Sequence, residues 1–224
     1  MARSLQRLII GDDPSSWEAA GFNIADGCFT LGKTTIELVG SGGERGIHGW
    51  TIDGVTTDID GLSTMILPEH VQPTTRTHQN MVFAIDHVVV SSPDPGRTSA
   101  AFNSVQMEER KKRSYVGPDG ATHEQRFFWA GRVIIELMGP AEPEPANASG
   151  SARFWGLALA SANLEIACEA LGDLLSEPKD AVQPGRKITT LNTRELDISV
   201  PIALLSPHVA NLGEPTDVGQ AGAS

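Results

Sequence analysis

A short block recurs in this chain, and the recurrence limits what it can fold into. Phe29–Gly40 (FTLGKTTIELVG) and Phe128–Gly139 (FWAGRVIIELMG) share Phe, Gly, Ile, Glu, Leu and Gly at matching places, with Lys33 and Arg132 alike between them. Each block reads as a strand, a glycine turn and a second strand rich in β-branched and apolar residues. Each sets one acid, Glu37 or Glu136, in the middle of its second strand, on the face opposite its apolar neighbours. Such a carboxylate either faces water on a half-exposed strand or points into a polar cavity.

A second pattern begins four stretches of the chain. Leu5–Phe22, Trp50–Leu62, Ile85–Phe102 and Trp155–Ala167 each give a β-branched or apolar run, a polar turn and a helix start. Asp58 and Asn163 are the expected helix caps in the second and fourth, because a side-chain oxygen there accepts an orphan N–H. The first and third units end in the Glu-bearing hairpins, and the fourth ends in two strand candidates, Lys187–Thr193 and Ser199–Leu205. The second is cut short before the next strand. Pro140–Ala152 (PAEPEPANASGSA) is an exposed connector without apolar period. The expected organisation is a shortened half over 1–80, a complete two-unit domain over 81–208 and a flexible tail over 209–224.

Charge and composition narrow the partners. A net charge of −11 repels phosphate backbones, so neither nucleic acid nor an anionic membrane is an expected partner. The apolar runs Met81–Ile85 and Val88–Val90 are split by Asp86 and His87 and are too short to span a bilayer. MARSLQRLII leads straight into an acidic turn with no cleavage site, and the two cysteines form no disulfide framework or zinc knuckle. The expected location is the cytoplasm.

The order of these units, with IDHVVV at Ile85–Val90, SSPDPGRT at Ser91–Thr98 and VIIELMG at Val133–Gly139, resembles the vicinal oxygen chelate superfamily. That superfamily includes glyoxalase I, methylmalonyl-CoA epimerase, extradiol dioxygenases and the fosfomycin and bleomycin resistance proteins. The resemblance implies an α+β fold of repeated βαβββ units, with curled mixed sheets around a cup. It also implies a divalent ion (Zn, Ni, Mn, Fe or Co) held by residues of first and last strands. Those positions here are His87, Glu136, Gly156 and Ala203, of which only the first two can ligate. If the first and third units shared a cup instead, Gln6 and Glu37 would join His87 and Glu136.

Three functions stay open on these residues. The first is a glyoxalase-like protein that binds a small molecule with vicinal oxygens, as a metal-dependent lyase or isomerase in which Glu136 shuttles the proton. The second is a metal-free member that sequesters or converts a ligand in an apolar pocket, as resistance proteins do. The third is a regulatory homodimer in which a partner completes the shortened units. Candidate ligand-binding residues are Trp129 before the hairpin turn, Trp155 beside Gly156, Arg186 in QPGR and His78 in THQN. Each has a plainer alternative as a core or turn residue, and His87 has the alternative of a core histidine in the same way. His48, His70, His123 and His208 are expected to be solvated.

Overall fold

The sequence folds into two sheets that share one core. The computed structural model describes residues 3–66, 77–118, 120–147 and 149–207; His70, His208 and the tail over 209–224 lie outside these. The first sheet contains β1 (Leu5–Ile10), β2 (Cys28–Leu31), β3 (Thr34–Leu38) and β4 (Ile47–Ile52), with helix α1 (Pro14–Ala19) after β1. Its order is β2-β3-β1-β4, with β1 parallel to β3 and antiparallel to β4.

The second sheet is built from two copies of a β-α-β-β-β unit. One copy is β5 (Val82–Ser91), α2 (Pro95–Ser104), β6 (Lys111–Val116), β7 (Thr122–Ala130) and β8 (Val133–Pro140). The other is β9 (Arg153–Ser161), α3 (Leu164–Leu171), β10 (Lys179–Asp180), β11 (Lys187–Thr190) and β12 (Ile202–Leu205). The last strand of each copy returns parallel to its first, and the two first strands, β5 and β9, pair antiparallel at the centre. The order is therefore β10-β11-β12-β9-β5-β8-β7-β6. This is the expected α+β architecture of repeated βαβββ units.

Both glycine turns fall as the repeat predicts. Gly32 (φ 62°) and Gly131 (φ 72°) take the left-handed backbone that closes the β2–β3 and β7–β8 hairpins. Asn163 caps α3, accepting from the N–H groups of Glu165 and Ile166. Asp58 does not cap a helix. Its side chain accepts from Thr64 N–H at 2.7 Å, and the segment after β4 runs as turns and isolated bridges. The unit after β4 thus keeps only its first strand among the described residues, and the β1 unit has one strand fewer than the complete ones.

The core lies on one face of the large sheet. Val88, Val90, Ile135, Leu137 and Leu157 point into it and are buried. Trp50 of β4 joins the two sheets, with its ring 4.8 Å from Phe154 of β9 and 6.1 Å from Phe102 of α2. Two carboxylates, Asp12 buried and Asp60 partly so, tie the halves. Asp12 accepts from Arg45 and from Ser199 N–H, and Asp60 pairs with Arg97 at 2.9 Å. With helices and first sheet on this side, the other face of the large sheet is left for a site. Among the described residues no helix is long and apolar enough to cross a membrane.

His78 belongs to the core of the first half, not to a cavity mouth. Its Nδ1 accepts from Asn23 N–H at 3.0 Å, which places the proton on Nε2, 3.2 Å from Thr30 O. Phe22 and Phe29 meet the ring edge-on. Burial pushes its pKa down, against the opposing bond to Thr30. The neutral ring is the stable one, so the unfolded chain binds the proton more readily. Stability from this site is complete above the ordinary value of 6.5 and is lost as pH falls below it. The thermal midpoint is expected to drop between pH 7 and 5, and His78→Gln to flatten that drop; an equally steep drop in the variant removes the assignment.

Candidate functional site

β5 and β8 lie side by side, and their register decides which side chains share the open face. His87 faces Ile134 and Val89 faces Glu136 across this parallel pair. On the other side of β5, His87 faces Ala158 and Val89 faces Gly156. His87 and Glu136 therefore stand on the face away from the core, one row apart. The third unit pairs with the fourth, so the first unit contributes nothing to this face. Gln6 instead bonds Ser4 and Asp53, at 2.7 and 2.6 Å, and Glu37 pairs with Arg7 at 2.6 Å. The four-residue set with Gln6 and Glu37 is not assembled, because these two stay in the other sheet.

A bulge shapes the site further. Ile85 pairs with Leu159 and His87 with Ala158, so Asp86 is an extra residue in β5. A bulge frees consecutive side chains from strict alternation, which lets Asp86 meet its own neighbour. Its Oδ2 lies 2.6 Å from His87 Nδ1, and its Oδ1 accepts from Arg186 Nη2 at 2.7 Å. Burial would raise the Asp86 carboxyl, but His87 and Arg186 outweigh it and bring the pKa down to about 2. With Nδ1 turned to Asp86, Nε2 is the ring nitrogen of His87 left for a ligand.

Glu136 sits in the opposite environment. Burial pushes its carboxyl up, opposed by His87, Arg113 and a bond from Gln125. Gln125 of β7 donates to Glu136 Oε1 and accepts from Arg113 Nε of β6. Phe127, the direct partner of Glu136 in the β7–β8 pair, packs between the Arg113 guanidinium, 5.5 Å from its ring centre, and the His87 ring at 6.4 Å. Two polar chains thus meet on the sheet, Arg113–Gln125–Glu136 and His87–Asp86–Arg186, coupled through the charge interaction of Glu136 with His87. Asp86, Gln125 and Arg113 were missed in the sequence. Their signal was present as an acid beside His87 in an apolar run, and as polar residues alternating with Phe127 and Tyr115.

Beyond β5, the strands β9 and β12 present no such groups in the rows of His87 and Glu136. Ala158 pairs with Ala203, and Gly156 is closed to any side chain because a Cβ there would lie 2.8 Å from the backbone oxygen of Pro201. Ala158 faces His87, and the expected ligand position Gly156 lies one row on, opposite Val89. A divalent ion would find two side-chain donors, His87 and Glu136, one already bonded by Gln125. Among the described residues no three of His, Cys, Asp and Glu are grouped to hold a metal. The donor set does not fit a resident ion.

The remaining candidates separate by burial. Arg186 is 1% exposed, with Nε on Ser206 O, Nη1 on Gln183 and Nη2 on Asp86, each at 2.7 Å. Its nitrogens are spent on the protein, so it orients Asp86 rather than receiving a ligand. Trp129 is 48% exposed on the same strand face as Phe127 and Gln125. Trp155, also about half-exposed, sits where β9 slips register between Gly156 and Phe154. A cleft of about 1300 Å3 opens at the end of the same face, lined by Ser91, Met138, Tyr115, His123 and Arg153 among others. It begins two residues beyond Val89 and Glu136. His123, expected to be solvated, is a half-buried strand residue stacked on Tyr115 at 5.6 Å.

Removing Asp86 leaves the buried Arg186 without its counter-charge. Asp86→Ala is expected to cost about 3–5 kcal/mol by denaturant titration. The pair's contribution stands above pH 3.8 and is lost as pH falls toward about 2. Gly156→Ala is expected to cost about 1–3 kcal/mol, because the added methyl meets backbone. A neutral result for either contradicts the packing described.

No protein-family model and no curated protein matches the sequence. Solved structures do. A methylmalonyl-CoA epimerase from Mycobacterium tuberculosis is 16% identical, covering 60% of this chain and 94% of its own, at a TM-score of 0.44. A mutant of 4-hydroxymandelate synthase from Streptomyces coelicolor is 13% identical over 92% of this chain and 70% of its own, also at 0.44. A xylose isomerase-like TIM barrel/4-hydroxyphenylpyruvate dioxygenase fusion protein is 10% identical, with a TM-score of 0.54. The match covers 95% of this chain and 51% of that one, so this chain corresponds to about half of the fusion. At this identity the likeness is one of fold.

Proposed function

We propose that this chain, which has the fold of the vicinal oxygen chelate superfamily, binds a small oxygen-bearing molecule on the open face of its large sheet and needs no divalent ion to do so. The observation that carries this is the asymmetry of the face. His87 and Glu136 stand on one side of the centre, and Ala158, Gly156 and Ala203 on the other. A closed position at Gly156 removes a donor by backbone packing, not merely by side-chain choice. His87, turned by Asp86, offers Nε2 as an acceptor, and Glu136, with its pKa raised by burial, is suited to hold a proton toward a ligand oxygen. That pairing serves either capture or a proton shift in the bound molecule.

The metal-dependent lyase or isomerase gives the opposite result in one experiment. In equilibrium dialysis against Ni(II) or Zn(II), the protein is expected to retain less than one ion per chain, with no difference in His87→Ala or Glu136→Gln. One retained ion, lost in both variants, overturns the metal-free function. Ligand occupancy has its own reporter. Trp129 and Trp155 are half-exposed while Trp17 and Trp50 are fully buried, so acrylamide is expected to quench two populations. A small molecule held on this face protects Trp129, and Trp129→Phe abolishes the protected signal. A homodimer is the accompanying proposal for the outer edge of β6, which among the described residues pairs only with β7. Sedimentation as a monomer removes it.

A further inference from the structure

The cation at the end of the Gln125–Glu136 chain is the group this face leaves unused. Arg113 commits Nε to Gln125, and its Cζ lies over Phe127, 5.5 Å from the ring centre. Among the described residues its two terminal nitrogens have no hydrogen bond and no ion pair. This contrasts with Arg126, Arg97 and Arg186, each bound to a carboxylate. A guanidinium fixed at Nε and on one face presents a preformed fork of two donors, the geometry that matches a carboxylate.

Position strengthens the case. Arg113 faces Gln125, and Gln125 faces Met138, so the three form one row across β6, β7 and β8. The neighbouring row toward the centre holds Lys111, Phe127 and Glu136; the next row outward holds Tyr115, His123 and Pro140. Successive rows on one face are about 7 Å apart. Arg113 thus stands between the His87–Glu136 pair and the cleft, whose lining begins in its own row with Met138 and Ser91. Phe127 and Trp129 on one side and Tyr115 stacked on His123 on the other give flat apolar surfaces to either hand.

We propose that Arg113 is the anchor for the carboxylate of an aromatic or similarly flat organic acid, whose body lies along Phe127 toward His87 and Glu136. This rests on the binding function proposed above and names its ligand class. A monoanion fits better than a polyphosphate. The cleft wall carries Glu142 and Glu144, with Arg153 its only arginine or lysine among the described lining residues. A chain of net charge −11 also opposes multiply charged anions. Lys111, exposed on the same strand face, adds attraction without a fork.

The test is calorimetric titration with phenylacetate and cinnamate, their neutral amides, and phenyl phosphate, followed by tryptophan fluorescence. The acids are expected to bind at least tenfold more tightly than the amides. Arg113→Met is expected to erase that preference, and Arg113→Lys to recover only part of it, with unchanged circular dichroism in both. Amides binding as well as acids, a preference that survives in Arg113→Met, or phenyl phosphate binding more tightly than the acids each overturns the carboxylate anchor. If amides bind equally and still protect Trp129, the cup remains a binding site and only the ligand class falls. If no compound binds, the ligand class falls, and the dialysis result decides the metal-free function separately.

Discussion

The antiparallel pairing of β5 with β9 is the constraint on which the rest of the molecule depends. It joins two complete βαβββ units into one eight-stranded sheet and places their first strands at its centre. The pairing is not regular. Its slips near Val82, Ile85 and Val89 bend the strands, and the slip at Asp86 turns two successive polar side chains toward one another. An unbulged strand would send Asp86 and His87 to opposite faces, and one of two buried polar groups would lose its partner. The fold and the site therefore share a single irregularity.

From that centre polar groups extend in both directions, and each bonded link limits the next. Arg186 is buried and would be costly alone; Asp86 offsets its charge and in turn fixes the His87 ring. On the other side Gln125 couples Glu136 to Arg113, donating to one and accepting from the other as a primary amide can. The arrangement is asymmetric about the sheet's centre. Its polar members lie chiefly on β5 to β8, while β9 and β12 present alanine and glycine. The two units thus differ on this face, one presenting His87 and Glu136 and the other alanine and glycine.

The first half has taken a different course. Its sheet repeats the β1–β3 parallel pair and the Glu-bearing hairpin, yet Glu37 is spent on Arg7 and the opposite face is ordinary core. Trp50, buried between Phe102 and Phe154, shows what that half now does: it covers the apolar side of the large sheet. His78, enclosed by Phe22 and Phe29, belongs to the same structural role. A recurring strand motif meets different surroundings in the two halves because neighbours, not the motif, set its environment.

Most of the strands, both hairpins and the cap at Asn163 were legible in the chain because alternation, glycine turns and capping are local, and the repeat showed that they recur as units; β6 was not, because its charged run Lys111–Arg113 carries no apolar alternation. His87 and Glu136 were legible as a pair for the same reason, since each falls at a fixed place in its unit. The roles of Arg186 and His78 were not legible. A guanidinium after a Pro-Gly turn reads alike whether it meets a ligand or Asp86, a hundred residues away. Asp58 looked like a cap because its local sequence matches Asn163, but no helix follows it. The sequence by itself determined the repeated unit and the residues able to do chemistry, since both follow from spacing along one strand or turn. Only the tertiary structure decided which units pair, which register a bulge selects and which charges cancel inside the protein, because those depend on contacts between segments that no local pattern encodes.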